Sequence, residues 1–359
     1  MSAVKINFGA GPAALPVSVT EQLALSIRNY GNSGLSILEI PHRGKLFDAI
    51  LKEANQHVLQ LCNLDAATYE VLWLQGGGRL QFAMIPMNFL PESGAAGYID
   101  SGFWSSDAME NATLWGNTIN LASSKDCAYK KLPEIPETFP ENLSYIHLTT
   151  NNTIYGTQWK QFFDSPVPLF ADMSSDIFSE RRDYGLFDLF YAVAQKNIGI
   201  AGVTLVVLKK SLLTKVVRPL NPYLSYRDHV AAHSVLNTAP VFAVYSALLM
   251  LRYISGRGIA AIEEENVQKA GLLYDTLEKS VSFELIAEKE SRSNMNVVFR
   301  GIDPETENNF KLFCNHKGIE GIEGHRRVGG FRASLYNAIR LDQVQYLANA
   351  ITEFDKTRT

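Results

Sequence analysis

Short apolar runs that alternate with amphipathic stretches constrain this chain more than any single residue does. Tyr69 to Leu74 is β-branched and aromatic, is closed by Gly76, Gly77 and Gly78, and leads into RLQFAMIPMNFL, which reads as a helix. Further strand-like runs are GYID from Gly97, SYIHLTT from Ser144, PLFADMSS from Pro168 and GVTLVVLKK from Gly202. Ahead of them, Phe47, Ile50, Leu51, Ala54, Val58 and Leu61 recur at helical spacing, so a helix follows His42 and Arg43. Strands that alternate with helices predict an α/β fold with a mostly parallel sheet covered on both faces. In such a sheet the reactive groups gather beyond the carboxyl ends of the strands.

Thr238 followed by Pro240 reads as an N-cap with proline just inside a helix through Val244, Ala247, Leu248 and Leu251. The SGRG run, Ser255 to Gly258, is expected to interrupt it, and a second helix is expected from about Ile259 to Lys279. Beyond lie strands such as NMNVVFR and two more helical segments. A chain of 359 residues is long for one core, so this break is taken as a domain change. It gives a large domain over 1–255 and a smaller α+β domain over 256–359, to which the N-terminal segment contributes. No internal repeat, low-complexity tract or linker separates them.

The hydrophobic fraction of 46% and charged fraction of 19% exclude a disordered or fibrous chain. Cys62, Cys127 and Cys314 are scattered and form no CxxC pair, so neither a disulfide framework nor a metal site is indicated. The start MSAVKINFGAGPAALP lacks the design of an export signal, and no apolar run reaches membrane length, which leads to the expectation of a cytoplasmic protein. A net charge of −4 excludes nucleic acid and acidic membranes as general partners but leaves room for local anion sites.

Four such features stand out. The glycine turn LQGGGRLQ lets backbone N–H groups approach a phosphate at a helix start, with Arg79 beside it, although tight strand-to-helix turns use glycine too. It lacks the GK[ST] of a nucleotide loop and the GxGxxG of a dinucleotide site. Asp172 ends the run LFAD at the expected mouth of the sheet, where a turn role competes with a chemical one. Lys196 stands alone in the apolar stretch YAVAQKNIGIAGVTLVV; most lysines are solvated, but a desolvated one has its neutral, nucleophilic amine favoured. His42-Arg43 and His325-Arg326, with Arg332 close behind, are suited to carboxylate or phosphate, with surface ion pairing as the alternative. Trp104 in SGFWSS suits either a core or a flat stacking face.

A phosphate cradle, an acid at a strand end, a lysine among apolar residues and a set of arginines are together the parts of a pyridoxal-phosphate enzyme. At these residues the chain resembles the phosphoserine aminotransferases, members of the fold-type I pyridoxal-phosphate-dependent transferases of class V. The match runs from NFGAGPAALP to EGHRRVGGFRASLYNA, through SGLSILEIPHRGKLF, LQGGGRLQFAMIPMN, DSGFWS, TTNNTIYGTQ, FADMSSDI, AQKNIGIAG and LNTAP in the family's order.

The resemblance implies that Lys196 holds pyridoxal 5'-phosphate and moves a proton between the substrate α-carbon and the cofactor C4′. It implies that Asp172 pairs with the ring nitrogen, that Trp104 stacks on the ring, and that Gly78, Arg79 and Gln195 contact the cofactor phosphate, with Thr153 a further contact. Asn237 and Thr238 match positions that reach the cofactor phosphate of a neighbouring subunit, so a homodimer with shared sites is implied. Arg332 matches the clamp for the substrate α-carboxylate. His42, Arg43, His325 and Arg326 match the holders of the distal anion. Asn152 departs from the acidic residue common in relatives.

The implied reaction moves the amino group of L-glutamate to 3-phosphohydroxypyruvate, giving O-phospho-L-serine and 2-oxoglutarate in serine synthesis. Activity on 3-hydroxy-2-oxo-4-phosphonooxybutanoate, of vitamin B6 synthesis, is a possible addition in the family. An alanine- or serine-using relative with glyoxylate would need fewer cations than the two His-Arg pairs supply. A silent scaffold would not need both Lys196 and Asp172.

Overall fold

The computed structural model describes residues 5–357. Its centre is a seven-stranded sheet in the order Tyr69–Gln75, Val203–Lys209, Leu189–Val193, Leu169–Asp172, Leu143–Thr149, Ala95–Asp100, Asn117–Ser123. All neighbours pair in parallel except Val203–Lys209, which runs antiparallel to both strands beside it. The other six strands therefore end on the same edge.

The strands read as continuous apolar runs because both faces are covered. Along Tyr69–Gln75, Val71 and Trp73 enter one core while Leu72 and Leu74 enter the other. Val203–Lys209 divides likewise, Leu205 and Val207 against Val206 and Leu208. The helices Lys45–Cys62 and Val241–Arg257 cover the first face; Gly78–Phe89 and Phe103–Ala112 cover the second.

A separate core forms around the antiparallel strands Phe283–Leu285, Asn296–Gly301 and Phe331–Ser334, backed by the helices Ile259–Glu278, Pro304–His316 and Leu341–Lys356. The N-terminal strand Ile6–Asn7 pairs with Ile319–Glu320, and Phe8 is fully buried in this second core. We propose that the two bodies act as domains, with the N-terminal segment joining the smaller and the division falling at Gly258, between the helices Val241–Arg257 and Ile259–Glu278, rather than at 255/256.

Two local expectations are corrected. Thr238 is exposed and does not cap the helix Val241–Arg257; Pro240 holds the N-cap position without a side-chain bond. That helix also continues through Ser255, Gly256 and Arg257 and breaks only at Gly258, whose φ of +80° suits glycine. Ser255 is anchored to His57 Nδ1 at 2.8 Å and Arg257 to Glu265 at 2.6 Å, and these tertiary contacts outweigh the weak helix preference of serine and glycine. Among the described residues no helix is long and apolar enough to cross a membrane, and no cluster of metal-ligating side chains occurs.

Candidate active site

The shared edge of the six strands opens on a cavity of about 500 Å³ lined by Gly78, Arg79, Trp104, Thr153, Asp172, Gln195, Lys196, His325 and Arg332. Nine of the residues singled out in the sequence thus meet at one place, although they span both halves of the chain.

At one end the strand Tyr69–Gln75 turns through Gly76 and Gly77 into the twelve-residue helix that begins at Gly78. Gly76 has φ +105°, and a Cβ there would lie 3.1 Å from Leu80, so the turn requires glycine. Gly77, at the N-cap, offers no side chain to the first helical N–H groups; its carbonyl takes the Leu80 N–H at 3.0 Å, and the N–H groups of Gly78 and Arg79 are left for an anion with the positive end of the helix behind them. Arg79 lies on the rim, 3.2 Å from Asp107 Oδ2. Burial raises the Asp107 carboxyl pKa and the Arg79 charge partly offsets that.

Asp172 closes its strand and is 6% exposed, with Oδ1 accepting from the Ser174 N–H at 2.9 Å. Burial pushes its pKa up, opposed by the Lys196 ammonium and by Ser174. Lys196 sits in the single helical turn Ala194–Asn197 that follows the adjacent strand. Its pKa is lowered by burial first, then held up by Asp172 and depressed again by Arg332. An amine placed this way yields its proton more readily than a surface lysine. Gly11, at φ +139°, passes so close that a Cβ would lie 3.4 Å from Lys196 Cγ.

Trp104 stands over the lysine, Nζ being 5.7 Å from its ring centroid, and donates its indole N–H to Thr153 Oγ1 at 3.3 Å. Arg332, on the strand Phe331–Ser334, donates through Nη1 to the Thr153 carbonyl at 3.2 Å, while its buried Nε has no protein partner. Burial lowers the Arg332 pKa. His325 is held toward the neutral form by burial and then by Arg332, Arg326 and Arg327.

His42, Arg43, Asn237, Thr238 and Arg326 do not line this cavity. Arg43 donates to the carbonyls of Val235, at 3.2 Å, and Leu236, at 3.0 Å. Asn237 donates to Gln75 Oε1 at 2.5 Å, and Gln75 in turn donates to the Thr238 carbonyl at 3.0 Å. His42 and Thr238 line a separate surface cavity, where His42 Nε2 is buried without a partner. Arg326 is exposed.

Other residues at the site escaped the sequence reading. Arg327 places its guanidinium 4.3 Å from the Phe103 ring centroid, next to Trp104 and His325. Behind Asp172, its register partner Tyr191 meets the fully buried His147 at 3.0 Å. The second of two consecutive arginines after His325 was a visible signal; a histidine in a strand and a tyrosine many residues later carried none.

Residues 6–347 match the family model for class-V aminotransferases. The chain is 44% identical over 352 residues to the phosphoserine aminotransferase of Flavobacterium psychrophilum, covering 98% of this chain and 99% of that one. It is similar to the solved phosphoserine aminotransferase of Bacillus circulans subsp. alkalophilus, with a TM-score of 0.96, 40% identity and all of both chains covered. A pyridoxal-phosphate-bound phosphoserine aminotransferase from Trichomonas vaginalis superposes with a TM-score of 0.91 at 32% identity, over 97% of this chain and all of that one. With its lysine, acid and helix start converging on one cavity, the chain belongs to the class-V aminotransferases and, within them, to the phosphoserine aminotransferase family.

Proposed function

We propose that this chain is a pyridoxal-phosphate-dependent aminotransferase that exchanges the amino group between L-glutamate and 3-phosphohydroxypyruvate, yielding O-phospho-L-serine and 2-oxoglutarate. The observation that carries the reading is the placement of Lys196 and the buried Asp172 on one cavity with an uncapped helix start. Those are the three contacts that a phosphorylated pyridine aldehyde needs: an amine, an anion for the ring nitrogen and a cradle for the phosphate.

The residues present fit that cofactor. Asp172 faces the cavity with one oxygen on Ser174, and a cationic ring nitrogen would keep its burial-raised carboxyl ionised. Gly77 has open space where a Cβ would stand, so phosphate can approach the amides. Gly78, Arg79 and Gln195 would hold the phosphate, Trp104 would cover the ring, and Thr153 would support Trp104. When bound, the cofactor supplies an electron sink that makes the substrate Cα–H acidic.

Lys196 Nζ, once free, takes the proton from the substrate α-carbon; burial lowers its pKa, which favours the proton-accepting neutral amine that task requires. Arg332 binds the α-carboxylate through its planar fork, and its partnerless Nε is available for that bond. His325, with Arg326 and with His42 and Arg43 of a second copy, would hold the distal phosphate or the glutamate side-chain carboxylate. Asn237 and Thr238 of that copy would complete the phosphate cradle, so we propose a homodimer with shared sites working in the cytoplasm. The phosphorylated 3-hydroxy-2-oxo acid of vitamin B6 synthesis presents the same two anions and is a second candidate substrate.

The test is a half-reaction. O-phospho-L-serine added to the purified holoenzyme is expected to bleach the visible band of the lysine-linked cofactor, and L-alanine is expected to leave it. Bleaching by alanine alone would overturn the substrate assignment, and a holoenzyme without the band would overturn the role of Lys196.

A further inference from the structure

The six residues that join the strand of Arg332 to the last helix, residues 335–340, form a largely buried connection, in which Leu335, Tyr336, Asn337 and Ile339 are each no more than 2% exposed. Buried backbone must find partners inside the protein. Lys269 donates its ammonium to the carbonyls of Leu335 at 2.9 Å, Tyr336 at 3.2 Å and Ile339 at 2.7 Å.

Asn337 is the hub of the rest. Its backbone N–H donates to Asn197 Oδ1 at 2.9 Å, its Nδ2 donates to the Phe178 carbonyl at 2.8 Å, and its Oδ1 accepts from Asn266 Nδ2 at 3.0 Å. Asn266 also donates to the Ser179 carbonyl at 2.9 Å, and Asn197 Nδ2 donates to the Ile177 carbonyl at 2.5 Å. The three asparagines are each no more than 2% exposed.

This network reaches the chemistry at both ends. Asn197 directly follows Lys196, in a helical turn of four residues too short to be stable alone, so tertiary bonds set the direction of the lysine. Residues 177–179 follow Asp172 by one short turn, and Phe178 holds φ +55°, a conformation that costs free energy unless its surroundings fix it. Asn337 supplies one such bond at the Phe178 carbonyl, and it stands on the connection that leaves the strand of Arg332.

We propose that Asn337 is a positioning residue for amino transfer: through Asn197 and Phe178 it fixes Lys196 and Asp172 in register with the Arg332 carboxylate clamp. The inference rests on the aminotransferase reading of the site. A proton acceptor displaced by an ångström loses rate without losing substrate affinity, so the signature lies in kcat and in the protonation of the lysine.

Asn337→Ala and Asn197→Ala holoenzymes are to be compared with wild type by steady-state kinetics with O-phospho-L-serine and by pH titration of the visible band of the resting enzyme. The expected result in Asn337→Ala is kcat lowered about tenfold or more with KM changed less than about threefold. The spectroscopic midpoint is expected to move by about half a pH unit or more, with Asn197→Ala shifted in the same way. Variants that lose only thermal stability, with kcat within about twofold and the midpoint unmoved, would overturn the proposal. Should Asn337→Ala fail to fold, Asn197→Ser decides on the same criteria. A wild-type holoenzyme that does not respond to O-phospho-L-serine would instead count against the function, not against the role of Asn337.

Discussion

Lys196 Nζ lies 5.7 Å from the ring centroid of Trp104, whose indole N–H is tied to Thr153 Oγ1 at 3.3 Å. The tryptophan is thus held as a fixed wall opposite the lysine, and a flat ring linked to Lys196 would lie against it. Ring stacking contributes about 0.5–1.5 kcal/mol, so Trp104→Ala should weaken cofactor retention by about two- to tenfold, and Trp104→Phe by less. Titration of cofactor-free protein with pyridoxal phosphate, followed by tryptophan-independent absorbance, checks this; unchanged affinity in Trp104→Ala would remove the stacking role.

Asp172 supports the ammonium form of Lys196 against burial, which favours the neutral amine. Asp172→Asn removes that support, so in cofactor-free protein the Lys196 amine should titrate at a lower pH than in wild type. The rate of modification of Lys196 by an amine-directed reagent, read by peptide mass spectrometry across pH, gives the midpoint. The same substitution should lower kcat by a factor of about a hundred or more, because the ring nitrogen loses its anionic partner. A midpoint that rises in Asp172→Asn would contradict a charge coupling between Asp172 and Lys196.

His147 illustrates what a buried histidine does to acid stability. Burial pushes its pKa down from 6.5 to about 3, and Nε2 meets the Tyr191 hydroxyl at 3.0 Å. The unfolded chain therefore binds a proton between pH 6.5 and about 3 that the folded one does not. The stability associated with neutral His147 is complete above that window and is lost as pH falls through it, with a slope of about 1.4 kcal/mol per pH unit. His147→Gln should be less stable at pH 7.5 yet show a shallower loss between pH 6 and 4 in urea titrations. Equal slopes in the two proteins would mean that His147 is not held neutral.

Much of this arrangement is readable along the chain because burial on both sheet faces leaves near-continuous apolar runs, as in Val71 to Leu74 and Leu205 to Leu208. Lys196 and Asp172 stand out for the same reason, as single charges within such runs. The reversed direction of Val203–Lys209 leaves no trace in its composition, since an antiparallel strand between two others is as apolar as a parallel one. The Ser255–Arg257 run misleads because helix propensity yields there to tertiary contacts, and Thr238 misleads because the helix starts two residues further on, with Pro240 at the N-cap. Asn197, Asn266 and Asn337 are ordinary polar residues until folding brings them together, and only then does their burial acquire meaning.

Arg43 and Asn237 belong to one surface cluster, with Arg43 on the carbonyls of Val235 and Leu236 and Asn237 on Gln75, while Lys196 lines a different cavity of the same chain. If the cluster serves the cavity of a second copy, two inactive variants should restore each other. In a mixed dimer of Lys196→Ala and Arg43→Ala subunits, one site carries both lesions. The other combines the intact Lys196 of one subunit with the intact Arg43 of the other. Random pairing of equal amounts should therefore recover about a quarter of the wild-type activity, since half of the dimers are mixed and each has one intact site. Co-refolding the two variants, with each refolded alone as the control, measures this. Recovery establishes that the site is shared between subunits, and no recovery in dimers verified as mixed by mass spectrometry would place Arg43 outside the site.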